Sequence, residues 1–145
     1  MIKDSIKIGK RVLAPITDKK SSRLIFSDLK DFDVELKPSA FGVPEPSEEY
    51  RRIVRPTETD LIVVPGVAFD KHCHRLSHGR GYYDRSLQGV LSTKPDVPTI
   101  GLAYEFQVLE ELPHCQDDVP VRKIVTEKRV ITSGKLKPCT CGANV

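Results

Sequence analysis

The sequence predicts an α/β fold, a three-layer sandwich in which a largely parallel, Rossmann-like sheet is flanked by helices. Two observations predict it. Short apolar runs rich in β-branched residues recur at residues 61–64, 98–103 and 123–126, and helical segments such as residues 82–91 lie between them. Runs of this length are typical of strands, and the run at residues 61–64 is typical of a strand buried on both faces of a parallel sheet.

Length and composition limit the class of protein. The 145 residues are 30% charged and 39% hydrophobic, and the net charge is +3. We expect a single domain over residues 1–132 and a loose tail over residues 133–145. The positive charge is too weak to indicate a nucleic-acid partner, and the apolar runs are too short to cross a membrane. The N-terminus lacks the apolar region of a secretory signal and the four cysteines do not form a disulfide framework, so we expect a cytoplasmic protein.

The first elements are short. Residues 1–10 are typical of the last turns of a helix, and Gly9 is a suitable C-cap. Residues 12–15 are predicted to form a strand that ends at its proline. Two further strand candidates follow at residues 23–26 and, more weakly, at residues 34–36.

Prolines control the next segment. Residues 42–46 contain two of them and are predicted to be loop or extended chain. Ser47 is a suitable N-cap for a short helical turn over residues 47–53. Near the other end of the chain, residues 108–112 are predicted to be helical, and residues 129–131 are predicted to continue the strand at 123–126 or to pair beside it.

Residues 60–87 contain the pattern with the clearest chemistry. Pro65 and Gly66 end the strand at residues 61–64, a polar loop follows, and the sequence Ser-His-Gly-Arg-Gly at residues 77–81 leads into the predicted helix. A strand, a glycine turn and a helix start form a phosphate site, because backbone N–H groups approach the anion closely and the helix N-terminus is partly positive.

Charged side chains surround this turn. Arg75 and Arg80 flank it and offer planar, permanently charged donors to phosphate oxygens. Asp84 lies in the first helical turn, where it would either cap the helix or hold a Mg²⁺ ion. The alternative is an ordinary strand-to-helix turn with solvated arginines, and a glycine-x-glycine pattern alone does not decide between the two.

Six motifs follow one another in a recognisable order: GKRVLAP, FGVPEP, PGVAFD, RLSHGRGYYDR, LAYEFQ, and Leu-Pro at residues 112–113 with Asp118 and Val-Thr-Glu at residues 125–127. Together they cover roughly residues 8–131 and resemble the 5-formyltetrahydrofolate cyclo-ligase family, also called methenyltetrahydrofolate synthetases. The domain at residues 1–132 is therefore expected to be cyclo-ligase-like.

The resemblance implies an ATP- and Mg²⁺-dependent conversion of 5-formyltetrahydrofolate to 5,10-methenyltetrahydrofolate. In that reaction ATP phosphorylates the formyl oxygen, N10 of the substrate attacks the activated carbon, and phosphate leaves. The protein then contributes mainly positioning and charge stabilisation. The implied partner is the small-molecule folate, without nucleic acid or membrane, and the chain is expected to be a monomer or a homodimer.

The resemblance also implies site residues. Nucleotide binding is implied for Arg75, Gly79, Arg80, Gly81, Tyr82 and Tyr83. Folate binding is implied for His78, Gly79, Arg80, Gly81 and Tyr82. Among all these residues, the resemblance implies a catalytic role for Arg80 and Tyr83. Asp84 is expected to coordinate Mg²⁺ with Asp118 as the second carboxylate ligand, and the adjacent Asp117 stays an alternative to Asp118.

Two departures from the family pattern matter. We expect the chain to lack the family's N-terminal portion, which bears a Lys/Arg helix for ATP and a glutamate near the folate. Ser77 stands where the family commonly has a glycine, and a positive φ there would cost about 1 kcal/mol. Three alternatives follow: a working cyclo-ligase, a truncated or degenerate relative that binds nucleotide or a partner without turnover, and a non-enzymatic interaction domain.

Two other patterns are set aside. His-Cys-His at residues 72–74 and Cys-Thr-Cys at residues 139–141 lack the paired spacings of zinc sites. No zinc is therefore expected. For the carboxylate at Asp84, the sequence predicts that Asp84→Ala abolishes ATP turnover and leaves the fold intact.

Overall fold

The structure is a computed structural model that describes residues 1–39 and 42–134. Cys139, Cys141 and most of the expected tail lie outside the described residues. Two compact units are present. The first contains residues 1–59 and 85–95, and the second contains residues 60–84 and the described chain from residue 96 onward. The prediction of a single domain over residues 1–132 stays a prediction.

The first unit begins with helix α1 (Ile2–Lys7), which ends two residues before Gly9. The N–H of Gly9 donates to the Ile6 carbonyl at 3.0 Å, and the N–H of Lys10 donates to the Ser5 carbonyl at 2.9 Å. Gly9 has a φ of +79°, a conformation in which a side chain is strained. These two bonds satisfy carbonyls that the helix end leaves open. The C-cap residue is Ile8, one position before the predicted Gly9, and Gly9 is the positive-φ residue that follows it.

Strands β1 (Val12–Asp18) and β2 (Arg23–Leu29) form an antiparallel ladder over their whole length. Both predicted strands are therefore confirmed, and both are longer than predicted. The expectation that Pro15 ends the first of them is wrong, because β1 continues through it with Pro15 opposite Phe26. Since β1 lies at the edge of its sheet, a residue without an N–H is tolerated there.

The strand predicted at residues 34–36 is wrong over most of its length. A one-turn helix, α2 (Phe32–Glu35), occupies the segment. The Asp31 carboxylate starts it by accepting the N–H groups of Asp33 and Val34 at 2.9 and 3.2 Å. A side-chain N-cap therefore outweighs the strand propensity of this short apolar stretch.

The proline segment is extended, as predicted. Strand β3 (Leu36–Pro38) pairs antiparallel with β4 (Pro44–Pro46). The predicted helical turn follows as a 3-10 turn, Glu48–Tyr50, but the Ser47 side chain makes no capping bond. Strand β5 (Ile53–Val54) then completes the sheet order β1-β2-β5.

The second unit begins with β6 (Ile62–Val64), which confirms the predicted strand. Val64 is fully buried, but Val63 is 39% exposed. The expectation of burial on both faces is therefore wrong, because alternate side chains point to opposite faces and the face with Val63 is partly open. The polar loop predicted next contains a hairpin of β7 (Ala68–Asp70) and β8 (Arg75–Leu76).

Helix α3 (Tyr82–Thr93) and strand β9 (Thr99–Leu102) confirm two predicted elements. The helix predicted at residues 108–112 is wrong. A 3-10 turn lies just before it at Glu105–Gln107, and strand β10 (Val108–Leu109) pairs parallel with β7. This parallel partner comes from far along the chain, so local periodicity does not reveal it.

Strands β11 (Lys123–Val125) and β12 (Val130–Thr132) complete a sheet of order β12-β11-β9-β6. Strands β6, β9 and β11 run parallel, and β12 pairs antiparallel beside β11. The α/β class is confirmed, with mixed sheets that include parallel strands. Within residues 1–39 and 42–134, no helix combines the length and the apolar character that a membrane crossing needs.

Phe69 fixes the hairpin on this sheet. Its side chain is fully buried. A Cβ atom on Gly66 would lie 2.7 Å from its ring, and one on Gly101 would lie 2.5 Å from it. The ring thus occupies space that two missing side chains leave beside β6 and β9. This packing holds β7 and β8 near the carboxyl end of β6.

Candidate active site

A buried ion pair joins the hairpin to the start of α3. Nη2 of Arg75 donates to Oδ1 of Asp84 at 2.7 Å, and the two side chains are 2% and 14% exposed. Nη1 of Arg75 lies 3.4 Å from the carbonyl oxygen of Pro65, directly after β6. One guanidinium therefore connects the end of a parallel strand, the hairpin and the first helical turn, which is where α/β sheets bind ligands.

The third nitrogen of Arg75 is unusual. Nε is buried and has no hydrogen-bond partner within the described residues. An unsatisfied buried donor costs about 1–3 kcal/mol. An acceptor oxygen of a bound ligand beside it would remove that cost.

The Tyr83 ring lies beside the same guanidinium, with Cζ of Arg75 5.7 Å from the ring centroid. Burial raises the pKa of the Tyr83 phenol above its usual value, and the charge of Arg75 opposes this in part. The phenol is therefore protonated at neutral pH and is a hydrogen-bond donor.

The glycine turn has the predicted backbone character. Gly79 and Gly81 have φ values of +75° and +63°. Among the described non-glycine residues, positive φ occurs at Ser22 and Cys73 and not at Ser77. The strain considered for Ser77 is therefore absent, and the serine fits the turn.

Asp118 lies on a tight turn. Its Oδ2 accepts the N–H of Cys115 at 2.7 Å, and its own N–H donates to the Cys115 carbonyl at 3.1 Å. The next residue, Val119, donates its N–H to Oδ1 of Asp84 at 3.3 Å. The structure thus brings together the two acids named as metal ligands, because the carboxylate of one contacts the backbone directly after the other.

These two acids fit a magnesium site. Mg²⁺ uses one or two carboxylates together with phosphate oxygens and water. Oδ2 of Asp84 and Oδ1 of Asp118 have no hydrogen-bond partner within the described chain, so each is available to a cation. A cluster of three or more histidine, cysteine, aspartate or glutamate side chains for a metal is absent from the described residues.

The remaining predicted site residues lie on the turn itself. His78, Gly79 and Arg80 are exposed, whereas Gly81 and Tyr82 are half-buried. Arg80 and Tyr82 make contacts of their own within the chain. Asp117 is exposed on the same loop as Asp118. The binding roles assigned to these residues stay predictions.

Sequence reasoning missed Asp70, although it quoted the motif that contains it. The side chain is fully buried at the end of β7. Burial alone would raise the pKa of the Asp70 carboxyl, but hydrogen bonds from His74, Leu112 and His72 outweigh it and hold that pKa below its usual value. An acid that ends a strand and precedes a polar run was the available signal.

Cys73 lies within the same turn and is fully buried. Burial, and to a smaller extent the charge of Asp70, raises the pKa of its thiol to about 11. The thiol is therefore protonated and unreactive at neutral pH.

Comparison with known proteins gives a consistent family assignment. The sequence profile of the 5-formyltetrahydrofolate cyclo-ligase family matches residues 1–127. A 5-formyltetrahydrofolate cyclo-ligase of Haemophilus influenzae is 40% identical over 93 residues, which are 64% of this chain and 49% of that protein. The Escherichia coli K12 protein of the same name is 31% identical over 131 residues, 90% of this chain and 70% of that protein.

Solved structures agree with these matches. The NMR structure of Aquifex aeolicus 5,10-methenyltetrahydrofolate synthetase has a TM-score of 0.73 and 35% identity, and the match covers 94% of this chain and 64% of that one. The Mycoplasma pneumoniae 5,10-methenyltetrahydrofolate synthetase has a TM-score of 0.61 and 27% identity. The chain spans from about half to 70% of the length of these two curated relatives. It belongs to the 5-formyltetrahydrofolate cyclo-ligase family.

Proposed function

We propose that this chain catalyses the ATP- and Mg²⁺-dependent cyclisation of 5-formyltetrahydrofolate to 5,10-methenyltetrahydrofolate, with release of ADP and phosphate. The observation that carries the proposal is the buried Arg75–Asp84 pair, which closes the two ends of the glycine turn and contacts the loop of Asp118 through the Val119 N–H. Family membership supplies the substrate class.

The glycine turn is proposed to bind the phosphates of ATP. Positive φ at Gly79 and Gly81 lets the backbone approach an anion without a clash from a side chain. The turn leads into the N-terminus of a helix of 12 residues, which favours negative charge. Arg80 is exposed on the turn and would add a cation beside the phosphates.

Asp84 and Asp118 are proposed to hold Mg²⁺ through the oxygens that make no hydrogen bond. When bound there, the ion would neutralise charge on the phosphate oxygens. Arg75 fixes the orientation of the Asp84 carboxylate by binding its other oxygen at 2.7 Å. In this proposal Arg75 acts first by positioning Asp84, and its unsatisfied Nε–H is a donor for a phosphate oxygen.

Tyr83 is proposed to donate a hydrogen bond to a substrate or phosphate oxygen on which negative charge develops in the transition state. Its protonated phenol suits a donor and not a base. The nucleophile is N10 of the substrate, so the protein needs none of its own. The raised pKa of the Cys73 thiol agrees with this division of roles.

The test is an absorbance assay for methenyltetrahydrofolate with ATP and Mg²⁺. We expect product with the wild-type chain, and a loss of at least 100-fold, on the order of a removed transition-state contact, in Asp84→Asn and Asp118→Asn. Asp33→Asn is the matched control, since that acid is exposed in the first unit. Asp117→Asn tests the neighbouring acid.

The outcomes separate the alternatives. ATP binding without product or phosphate release would identify a degenerate relative that keeps nucleotide binding. A chain that binds neither ATP nor folate would overturn the proposal and favour the interaction domain. Loss of activity in Asp117→Asn, with the activity of Asp118→Asn unchanged, would identify Asp117 and not Asp118 as the second metal ligand.

A further inference from the structure

The segment of residues 112–121 is fastened to the turn of the β7–β8 hairpin at both ends. At its start, the N–H of Leu112 donates to Oδ2 of Asp70 at 3.0 Å. At its end, the N–H of Val121 donates to the Cys73 carbonyl at 2.9 Å. Leu112 and Val121 are buried, so both attachments lie away from solvent.

Between these attachments, two imidazoles stack. The rings of His74 and His114 lie 3.8 Å apart between centroids and are inclined by 9°. Nδ1 of His74 also lies 3.0 Å from Oδ2 of Asp70. The same carboxylate oxygen therefore meets the start of the segment and the histidine on which the segment stacks.

Asp70 also holds the hairpin turn itself. Its Oδ1 accepts the N–H groups of His72 and His74, both at 2.9 Å. One oxygen thus shapes the turn, and the other fastens the segment and also contacts His74. A single buried carboxylate connects two parts of the chain that lie 42 residues apart.

The segment carries the second proposed metal ligand. Asp118 lies on it, and Val119 donates to Oδ1 of Asp84 at 3.3 Å. The position of Asp118 relative to Asp84 therefore depends on how the segment is attached to the hairpin, which also carries Arg75.

We infer that Asp70 is a positioning residue for the metal site: its buried carboxylate fastens residues 112–121 to the hairpin and so sets the distance between Asp84 and Asp118. The inference rests on the proposed function, because it takes the two acids as the Mg²⁺ ligands. Groups that orient metal ligands without touching the metal typically change metal affinity by about 10- to 100-fold.

Asp70→Asn tests this selectively. The asparagine oxygen continues to accept the two N–H groups of the turn, whereas its NH₂ group faces the N–H of Leu112 and repels it. Asp28→Asn is the matched control: Asp28 is 7% exposed in the first unit and pairs with Arg11 and Lys30. Both variants remove one charge from a buried aspartate.

Besides ATP affinity without metal and turnover in excess Mg²⁺, two measurements are made on wild type and both variants. The first is amide hydrogen exchange, compared between residues 113–121 and residues 123–132. The second is Mn²⁺ affinity in the presence of ATP, read from water proton relaxation. In Asp70→Asn we expect faster exchange confined to residues 113–121 and Mn²⁺ binding weakened by about 10-fold or more, with ATP affinity in the absence of metal unchanged. Excess Mg²⁺ should restore turnover in Asp70→Asn but not in Asp118→Asn.

The other outcomes overturn the inference. Unchanged Mn²⁺ affinity in Asp70→Asn would show that the attachment does not position the site. Asp70 would be only a general contributor to stability if exchange rose equally in residues 113–121 and 123–132 and if Asp28→Asn lost as much Mn²⁺ affinity as Asp70→Asn. If wild type binds no Mn²⁺ in the presence of ATP, the proposed function fails and the inference fails with it. That failure is distinguishable from failure of the inference alone, because it is seen in the wild-type protein and not only in Asp70→Asn.

Discussion

Nη2 of Arg75 lies 2.7 Å from Oδ1 of Asp84, and both side chains are shielded from solvent. Asp84 is therefore a structural partner as well as a candidate ligand. Removing one member of a buried ion pair leaves the other charge without compensation, which is more harmful than the absence of both. The expectation from sequence, that Asp84→Ala leaves the fold intact, does not account for this partner.

We predict that Asp84→Ala lowers the free energy of unfolding by about 3–5 kcal/mol, because it strands the Arg75 guanidinium. Urea unfolding of the single variant and of the double variant Arg75→Met/Asp84→Ala measures the effect. The double variant should recover much of the stability and none of the turnover. A single variant as stable as wild type would contradict the pairing.

A second prediction concerns the contact between Gly101 and the Phe69 ring. Gly101→Ala should destabilise the protein by about 1–3 kcal/mol, since its new methyl would lie 2.5 Å from a buried ring. Gly89→Ala is the control, because Gly89 lies inside α3 with nothing within 4 Å and the substitution should stabilise by about 0.5–1 kcal/mol. Thermal unfolding of both variants decides; a neutral Gly101→Ala would mean that the ring moves aside.

The proposed binding of phosphate by the glycine turn can be tested separately from the effect of the turn on stability. Gly79 and Gly9 both have strongly positive φ and open space where a Cβ would lie. Alanine at either position should therefore cost about 1–2 kcal/mol of strain. We expect Gly79→Ala to weaken ATP binding and Gly9→Ala to leave it unchanged. If the strained turn relaxes to a conformation that does not bind ATP and gains about 1.4 kcal/mol or more by doing so, ATP affinity falls by about 10-fold or more. Isothermal titration with ATP distinguishes them, and equal ATP affinity in the two variants would refute the assignment.

A pH prediction comes from the first unit, where Glu35 accepts Nη1 and Nη2 of Arg52 at 3.0 and 2.9 Å. The hydrogen bond from Arg52 is the main reason that the pKa of Glu35 lies below its ordinary value of 4.5. A lowered folded-state pKa means that the pair stabilises the fold above about pH 4.5 and that this contribution is lost as the pH falls through the folded-state pKa.

Glu35→Gln should therefore be less stable than wild type at neutral pH, and the difference should shrink as the medium is acidified below pH 4.5. Denaturant midpoints measured at a series of pH values test this. A difference that stays constant or grows on acidification would show that the ion pair is not its source.

The glycine turn and the following helix were predictable because their signals are local. Two glycines and a helical stretch lie within a few residues of one another, and the motif order carries the family resemblance. The Arg75–Asp84 pair joins residues nine apart, and its arginine lies on a hairpin that the sequence did not reveal. Strands of two or three residues, such as β7 and β8, leave too short a pattern to recognise.

The contacts of Asp70 were not predictable from the sequence for a different reason. Its partners include Leu112, 42 residues away, and no periodic pattern connects the two. The strand at Val108–Leu109 was mistaken for a helix because its parallel partner, β7, is equally remote. At Pro15 the sequence predicts the end of a strand, but β1 continues through it. A proline ends a strand only where its nitrogen would need a hydrogen-bond partner.

The position of Pro15 affects whether strand β1 can pair with a strand of another copy of the protein. Glu45 occupies the outer side of β1, accepting the N–H and the hydroxyl of Thr17 at 3.3 and 2.7 Å. Since alternate residues of a strand direct their N–H groups to the same side, Pro15 presents a nitrogen without hydrogen on that same rim. A strand from another molecule would find neither of these two successive positions able to pair with it, which protects the β1 edge of this sheet from intermolecular strand addition.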